Sequence, residues 1–142
     1  MTDDDLKAWI KFDEGGPSDV YLDSVGVPTL GWGHALHPGS FVPVEVSEIF
    51  FKMDFETACE DADFIIGKYD LDLDPVRRGV LVNMAFQLGR SKLLRFRKLI
   101  AALIIKDYDK AAYQITDSKA GRTCGHRYSR LAAVMHTGKP VL

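Results

Sequence analysis

The residues best suited to acid–base chemistry stand near the start of the 142-residue chain. Glu14 is followed by glycine, and nine residues later Asp23 opens a short Asp-Ser-Val-Gly stretch. Thr29 comes six residues after Asp23, and the run Gly-Trp-Gly-His follows and ends at His34. Two carboxyl groups and a hydroxyl around one cleft suit the hydrolysis of a glycoside, in which one acid protonates the departing oxygen and the other groups hold the attacking water.

A helix and a small sheet are expected to position these three groups. Apolar residues at helical spacing predict a first helix over about 3–12, and the Gly-Gly-Pro stretch after Glu14 breaks it. From residue 18 to about 41, short β-prone pieces separated by Asp, Gly and Pro predict an antiparallel sheet of two or three strands. A hairpin that folds back on itself brings Asp23 and Thr29 side by side, facing the helix end that carries Glu14.

The rest of the chain has the periodicity of helices. A long helix is predicted to begin after Pro43 and to stop at Gly67. Asp74 and the proline after it predict the start of a helix that runs to Leu88 and is apolar nearly all round, which indicates a buried central helix. The apolar stripe of the long helix consists of Phe51, Phe55, Ala58, Ala62 and Ile65, and further helices are predicted around 91–95, 97–106, 108–116 and 125–136. A small sheet followed by helices predicts the α+β class.

Composition excludes several classes of protein. Apolar residues make up 46% of the chain and charged residues 27%, as in a soluble globular protein and unlike a disordered one. The longest apolar run, seven residues over 99–105, is far shorter than the ~20 residues of a membrane span. The acidic start MTDDDLK is not a signal peptide, so we expect the protein to begin in a cytoplasm. Cys59 and Cys124 form no CxxC or zinc pattern and are expected to be free thiols.

Charge is distributed unevenly along the chain. Residues 1–74 contain 17 Asp or Glu and 4 Lys or Arg, whereas residues 75–142 contain 3 acidic and 14 basic residues. Such asymmetry indicates either a polyanionic partner or attraction between an acidic and a basic part of the same fold. The basic residues are spread over several predicted helices, so contact with a cell-wall polyanion, internal pairing and solvation all remain open.

The N-terminal motif resembles a known family. Glu14, Asp23, Thr29 and His34 stand within the pattern EG…YLDS.G.PT.G.GH, which is similar to that of the phage-type lysozymes, the T-even endolysins of glycoside hydrolase family twenty-four. The segment 73–89 resembles the central helix of that family. The end of the chain, RYSR…HTG, resembles its closing arginine-bearing helix. The connection after His34 is short, and the near-neutral net charge of −2 departs from the basic charge common in such enzymes.

The resemblance implies a fold and a domain organisation. It implies one lysozyme domain over 1–142, with a hairpin lobe over about 14–42 and a linking helix over about 43–67. The helical lobe spans about 68–142 and includes the N-terminal helix 3–12, and the cleft lies between the lobes.

The resemblance also implies an activity and roles for individual residues. Family members hydrolyse the β-1,4 bond between N-acetylmuramic acid and N-acetylglucosamine in peptidoglycan, with inversion and without a cofactor or metal. Glu14 is then the general acid, and Asp23 with Thr29 holds the attacking water. The residues expected to bind the substrate are Asn83, Phe86, Gln87, Arg127 and His34, with Arg127 near the acid. An HxxH pair at His34 and His37 has no third ligand nearby, so no metal is expected.

Partners and location follow from the same resemblance. The expected partners are peptidoglycan glycan strands and a separate holin, with no nucleic acid, and the protein is expected to be a monomer. It would wait in the host cytoplasm until a holin lets it reach the cell wall for host cell lysis. Three other functions remain open at this point, and one of them is a polyanion-binding protein that uses the basic half of the chain. A lytic transglycosylase needs one acid and leaves anhydro ends, and a non-catalytic wall-binding module would keep the fold without turnover.

Overall fold

The computed structural model describes residues 1–140, and within that range it is α+β, as predicted. A three-stranded antiparallel sheet follows the first of eight described helices. The elements in chain order are α1 (Asp3–Glu14), β1 (Ser18–Leu22), β2 (Pro28–Gly31), β3 (His34–Ala35), α2 (Val44–Lys68), α3 (Pro75–Leu88), α4 (Arg90–Leu94), α5 (Arg97–Ile104), α6 (Tyr108–Thr116), α7 (Lys119–Thr123) and α8 (His126–Thr137).

The chain divides into two compact units. Unit 1 spans Met1–Val44 and contains α1 with the sheet, and unit 2 begins at Glu45 and contains the other helices. Helix α1 has no buried residue. The assignment of this helix to a helical lobe, and the single-domain organisation as a whole, stay predictions.

Local signals fix both ends of α1. Thr2 caps the first turn: its side chain accepts a hydrogen bond from the Asp5 amide, and the Asp5 carboxylate accepts one from the Thr2 amide at 2.8 Å. The helix continues two residues beyond the predicted end at Phe12 and stops at Gly15, which takes a left-handed conformation with φ of 72°. Glu14 is therefore the last helical residue.

The sheet has the order β1-β2-β3. Tyr21 pairs with Thr29 across β1 and β2, and Thr29 pairs with Ala35 across β2 and β3. Thr29 thus lies on the central strand and is 4% exposed, which makes it the one buried residue of unit 1. The sheet of two or three strands predicted from the sequence is confirmed.

Unit 2 is organised around α3. Asp74 caps this helix through a 2.9 Å bond from the Arg77 amide to its carboxylate, Pro75 occupies the first turn, and Gly89 ends the helix. Both predicted ends are confirmed. The buried residues of α3 are Val80, Leu81, Val82, Met84 and Ala85. They join a core to which α2, α5, α6 and α8 also contribute, which confirms the predicted central position of this helix.

Helix α2 differs from the prediction at its end, and only part of its apolar stripe is buried. The helix passes through Gly67 and ends at Lys68, because one glycine in a helix costs only about 1 kcal/mol and the chain turns at Asp70, whose φ is 50°. Phe51 and Phe55 are exposed by 54% and 47%, although they share the stripe of the buried alanines. The core reaches α2 only from Ala58 onward, so periodicity identified the face but not the length that is covered.

Helix α7 was not predicted from the sequence. It has five residues, too few for a periodic apolar pattern. Its signal is the cap, because the Ser118 hydroxyl accepts a hydrogen bond from the Gly121 amide at 2.9 Å.

Two further expectations concern the state of the two cysteines and the length of apolar segments. Cys59 and Cys124 are free and partly buried, as predicted. Among the described residues, none of the helices combines the length and apolar character that crossing a bilayer requires.

Candidate active site

Glu14 lies at the end of α1, with its exposed carboxylate against the backbone of the β2–β3 turn. A Cβ atom added at Gly33 would stand 2.6 Å from Glu14 Oε2 and 3.0 Å from its carboxyl carbon. Gly33 also has a φ of 72°, which side chains rarely adopt. Glycine at position 33 therefore gives the Glu14 carboxylate its place beside the turn.

The residues after Glu14 pack against the end of β2. A Cβ atom at Gly16 would stand 2.5 Å from the carbonyl oxygen of Gly31, so only glycine fits there. The Ser18 hydroxyl donates to that same carbonyl at 3.2 Å. The end of α1 is thus attached to the last residue of β2, through close backbone packing rather than through buried side chains.

Asp23 occupies the opposite end of β2, in the loop that joins β1 to β2. Its Oδ1 atom accepts hydrogen bonds from the amides of Val25 at 2.9 Å and Val27 at 2.8 Å. Its own amide donates to the Val27 carbonyl at 3.0 Å. Four residues of loop are folded around this carboxylate, which fixes one of its two oxygens.

Thr29 is connected to Asp23 through Val27. The Thr29 hydroxyl donates to the Val27 carbonyl at 2.9 Å, and this carbonyl also accepts the Asp23 amide. The structure therefore links Asp23 and Thr29 through the carbonyl of one residue, Val27. With its proton used in this bond, the Thr29 oxygen has only lone pairs to offer a further partner. The linking atom belongs to the backbone of Val27, so no residue type in the sequence could have indicated it.

His34 and Trp32 flank the glycine that contacts Glu14. His34 lies in β3 and is exposed, and its side chain has no hydrogen-bond partner within residues 1–140. Trp32 is 43% exposed, and the Lys11 ammonium lies 4.4 Å from the centre of its ring. This cation–π contact is a second link between α1 and the turn.

On α3, the predicted substrate-binding residues Asn83, Phe86 and Gln87 are exposed. The Phe86 ring lies 5.6 Å from the ring of Phe51, centre to centre. Asn83 is held by Arg127, whose Nε donates to Asn83 Oδ1 at 2.9 Å and whose second nitrogen donates to the Asn83 carbonyl at 3.1 Å. The placement of Arg127 near Glu14 stays a prediction.

Gln87 is held one turn further along the same helix. Its Nε2 donates to the Cys124 sulfur at 3.1 Å. Within residues 1–140, Asn83 therefore keeps its amide nitrogen as a free donor, and Gln87 keeps its amide oxygen as a free acceptor. Sequence reasoning did not identify Cys124 as a partner, because a single cysteine carries no pattern.

A protein-family model matches most of the chain. The family model described as "Phage lysozyme" matches residues 11–130, a range that includes the Glu14, Asp23 and Thr29 motif and the α3 face. The chain belongs to the phage lysozyme family. This confirms the family suggested by the sequence and the prediction that the protein is a glycoside hydrolase of the lysozyme type.

Named relatives extend the comparison. This phage lysozyme is 23% identical to "Probable T4-type lysozyme 1" and 26% identical to "Probable T4-type lysozyme 2", both of Dictyostelium discoideum, and each match covers 94% of both chains. It is also 26% identical to the "Pre-baseplate central spike protein Gp5" of Enterobacteria phage T4. That match covers 91% of this chain and 27% of the phage protein.

The metal prediction can be compared with the side chains of this phage lysozyme. Within residues 1–140, the structure contains no group of three or more His, Cys, Asp or Glu side chains arranged to hold a metal ion.

Proposed function

We propose that this protein hydrolyses the β-1,4 bond between N-acetylmuramic acid and N-acetylglucosamine in peptidoglycan, with inversion at the anomeric carbon. The observation that carries the proposal is the placement of Glu14 at one end of β2 and of the Asp23–Thr29 pair at the other. A strand of four residues spans on the order of 10 Å. Inverting glycosidases separate their two carboxyl groups by about 6.5–9.5 Å, which leaves room for a water molecule.

Glu14 acts as the general acid in this proposal. It gives its proton to the glycosidic oxygen while the bond from that oxygen to the anomeric carbon breaks. The oxygen of a water then bonds to the anomeric carbon from the opposite face, and the proton that this water loses goes to Asp23. The two proton transfers leave the sum of charges unchanged, and exchange with solvent restores both carboxyl groups.

Asp23 and Thr29 orient the water through their acceptor atoms. Asp23 Oδ1 is occupied by two amides, and within residues 1–140 its Oδ2 has no hydrogen-bond donor. The Thr29 hydroxyl uses its proton on Val27 and also offers lone pairs. Two acceptors take the two hydrogens of one water, so the lone pairs of the water point away from them, toward the sugar.

Asn83 and Gln87 bind an N-acetyl group in the same proposal. The free amide nitrogen of Asn83 donates to the carbonyl of the acetamide, and the free amide oxygen of Gln87 accepts from its N–H. The two residues are four apart on one helix, where side chains lie about 5–6 Å from each other. Both N-acetylmuramic acid and N-acetylglucosamine carry this group, so the pair recognises amino sugars rather than plain glucose.

The biological role belongs to the proposal as well and is supported by the family resemblance. The protein acts in host cell lysis as a monomer, remains in the host cytoplasm until a separate holin opens the membrane, and then reaches the cell wall.

The test is the clearing of purified peptidoglycan by Glu14→Gln compared with Asp13→Asn. Asp13 is the neighbouring exposed acid on the same helix end, so it controls for the loss of one charge. Removing the general acid is expected to lower the rate by about 10²–10⁴-fold, with no fall in the thermal unfolding midpoint because Glu14 is exposed. Equal rates for the two variants would contradict the role of Glu14.

A further inference from the structure

Two groups of basic residues in unit 2 differ in their partners. In the first group, three arginines donate hydrogen bonds to acids: Arg78 donates to Asp63 at 2.8 and 2.9 Å, Arg90 donates to Asp61 at 2.8 Å, and Arg77 donates to Asp74 at 2.9 Å. Arg78 and Arg90 thereby attach α3 and α4 to the acidic helix α2. Part of the uneven charge distribution therefore serves attraction between residues of the same fold.

The second group has no acidic partner and surrounds a cavity. Among the described residues, none of these five side chains forms an ion pair, and all are exposed: Lys92, Arg95, Arg97, Lys98 and Lys119. They line a cavity of about 710 Å³. The acid in its lining is Asp117, which lies 3.7 Å from Arg122. The cavity therefore has a large excess of positive charge.

The remaining walls of the cavity are largely apolar. Leu88, Phe96 and Leu99 contribute carbon surface, and Gln87 lies at the part of the lining that belongs to α3. A volume of this size holds a ligand of several small units. A suitable ligand combines negative charges for the cationic side chains with carbon atoms that can contact the apolar walls.

We propose that this cavity binds a phosphodiester polymer of the bacterial envelope, of the polyol phosphate type, that is attached to the glycan strand. This inference rests on the proposed function, because the polymer is attached to the same glycan strand that the enzyme would cleave. The polymer would lie beside Gln87. Four of the five cations lie within seven residues of sequence, so their charges are close together. A phosphodiester polymer carries one charge in each repeat, and arginine and lysine both suit phosphate oxygens.

Other polyanions fit the cavity less well. Proteins that bind single-stranded nucleic acid offer exposed aromatic rings for stacking, whereas the aromatic residue in this lining, Phe96, is partly buried. A duplex is too wide to enter a concave site of this volume. Isolated carboxylates on a peptide would engage one or two of the cations and leave the others without a partner.

The experiment measures the binding of an end-labelled poly(glycerol phosphate) of fixed length by fluorescence anisotropy. The test variant combines Arg95→Gln, Arg97→Gln and Lys98→Gln. The control combines Lys52→Gln, Lys110→Gln and Lys139→Gln, three exposed lysines outside the cavity that give the same change in net charge. All six positions are exposed, and thermal unfolding checks that both variants fold.

The test variant is expected to bind the probe about tenfold more weakly or worse than the parent, and the control is expected to bind as the parent does. The slope of log affinity against log salt should also become shallower by about one for each phosphate that the variant no longer neutralises. Equal weakening in the two variants, or no weakening in the test variant, would overturn the proposal. Displacement of the probe by polyglutamate or single-stranded DNA at equal charge, as effective as by the unlabelled polymer, would overturn the choice of phosphodiester.

Hydrolysis of peptidoglycan stripped of phosphate polymers separates this inference from the proposed function. Both triple variants should cleave it at the parental rate, because none of the six residues is a proposed catalytic or sugar-binding residue. A parent that fails to cleave it contradicts the proposed function, whereas the anisotropy result still decides whether the cavity binds the polymer.

Discussion

In unit 1 the one buried residue is Thr29, whereas unit 2 holds the whole buried apolar core that the structure describes. The residues proposed for catalysis all lie in unit 1. Their positions depend on glycine backbones, loop hydrogen bonds and a shared Val27 carbonyl, which are local features with little apolar burial. The core of unit 2 depends instead on packed side chains of α2, α3, α5, α6 and α8.

This difference indicates that activity and stability respond to different substitutions. A change of backbone geometry at the sheet should alter the rate, and its effect on unfolding should be limited to the local backbone strain, because little surface is buried there. A change in the core should alter the free energy of unfolding and leave the rate of the folded molecules unchanged. Three further substitutions, in decreasing order of their effect, test this division between the units.

The largest of these effects is expected from Leu103→Ala in the core. Leu103 is 1% exposed, so its truncation should lower the free energy of unfolding by about 2–5 kcal/mol. Leu22→Ala in β1 is the matched change at a 67% exposed position and should cost less than about 0.5 kcal/mol. Urea unfolding followed by circular dichroism measures both. Similar losses in the two variants would show that unit 1 also depends on apolar packing.

Gly33→Ala is expected to separate activity from stability within unit 1. The new methyl group would stand 2.6 Å from Glu14 Oε2, so the flexible carboxylate must move aside. Misplacement of a catalytic group by about 1 Å costs about 10²-fold in rate. Gly31→Ala is the control, since Gly31 has a comparable φ of 64° and an added Cβ there meets no atom within 4 Å.

Both glycine variants carry the same backbone strain, about 1–2 kcal/mol for a left-handed residue. Their unfolding midpoints should therefore fall together, while the clearing rate should fall only for Gly33→Ala. A slow Gly31→Ala, or a fast Gly33→Ala, would mean that the contact with Gly33 does not determine where the acid stands.

The smallest effect concerns an ion pair on the surface of unit 2. The hydrogen bond from Arg78 holds the pKa of Asp63 below its usual 3.8. A lowered pKa in the folded state contributes stability above pH 3.8, and this contribution is lost as the pH falls through the folded value. The Asp63 side chain is 54% exposed, so Asp63→Asn should cost less than about 1 kcal/mol at pH 7.

The pH dependence of this cost makes the prediction specific. The difference in unfolding free energy between the parent and Asp63→Asn should shrink as the pH falls below 3.8, and should also shrink at high salt at pH 7. A difference that grows as the pH falls would have the wrong sign for this pair.

Local signals made part of the fold predictable from the sequence. Asp74 with Pro75 and Gly89 fixed both ends of α3, because a cap, a proline and a glycine act through neighbouring atoms. The exposed half of α2 was not predictable, since periodicity shows which face is apolar but not whether other elements cover it. Helix α7 was missed because a single turn leaves no period to detect.

The candidate site, too, could be predicted from the sequence only in part. The spacing of Asp23 and Thr29 predicted that these two residues come together, because a hairpin brings its two strands together, while the catalytic roles of Glu14, Asp23 and Thr29 stay predictions. The contacts that hold these three residues were not predictable, since the position of the Val27 carbonyl and the close approach of Glu14 to Gly33 are properties of backbone geometry. The pairing of Arg127 with Asn83 joins residues 44 apart in sequence, and neither has a pattern that indicates the other.

Proton NMR of a defined N-acetylmuramic acid–N-acetylglucosamine oligosaccharide during digestion examines the proposed inverting hydrolysis itself. Spectra recorded in the first moments of cleavage report the configuration of the new end before it mutarotates. A water held by Asp23 and Thr29 opposite Glu14 predicts new reducing ends that appear first as the α anomer. New ends that appear first as the β anomer, or that are closed as anhydro sugars, would contradict this mechanism.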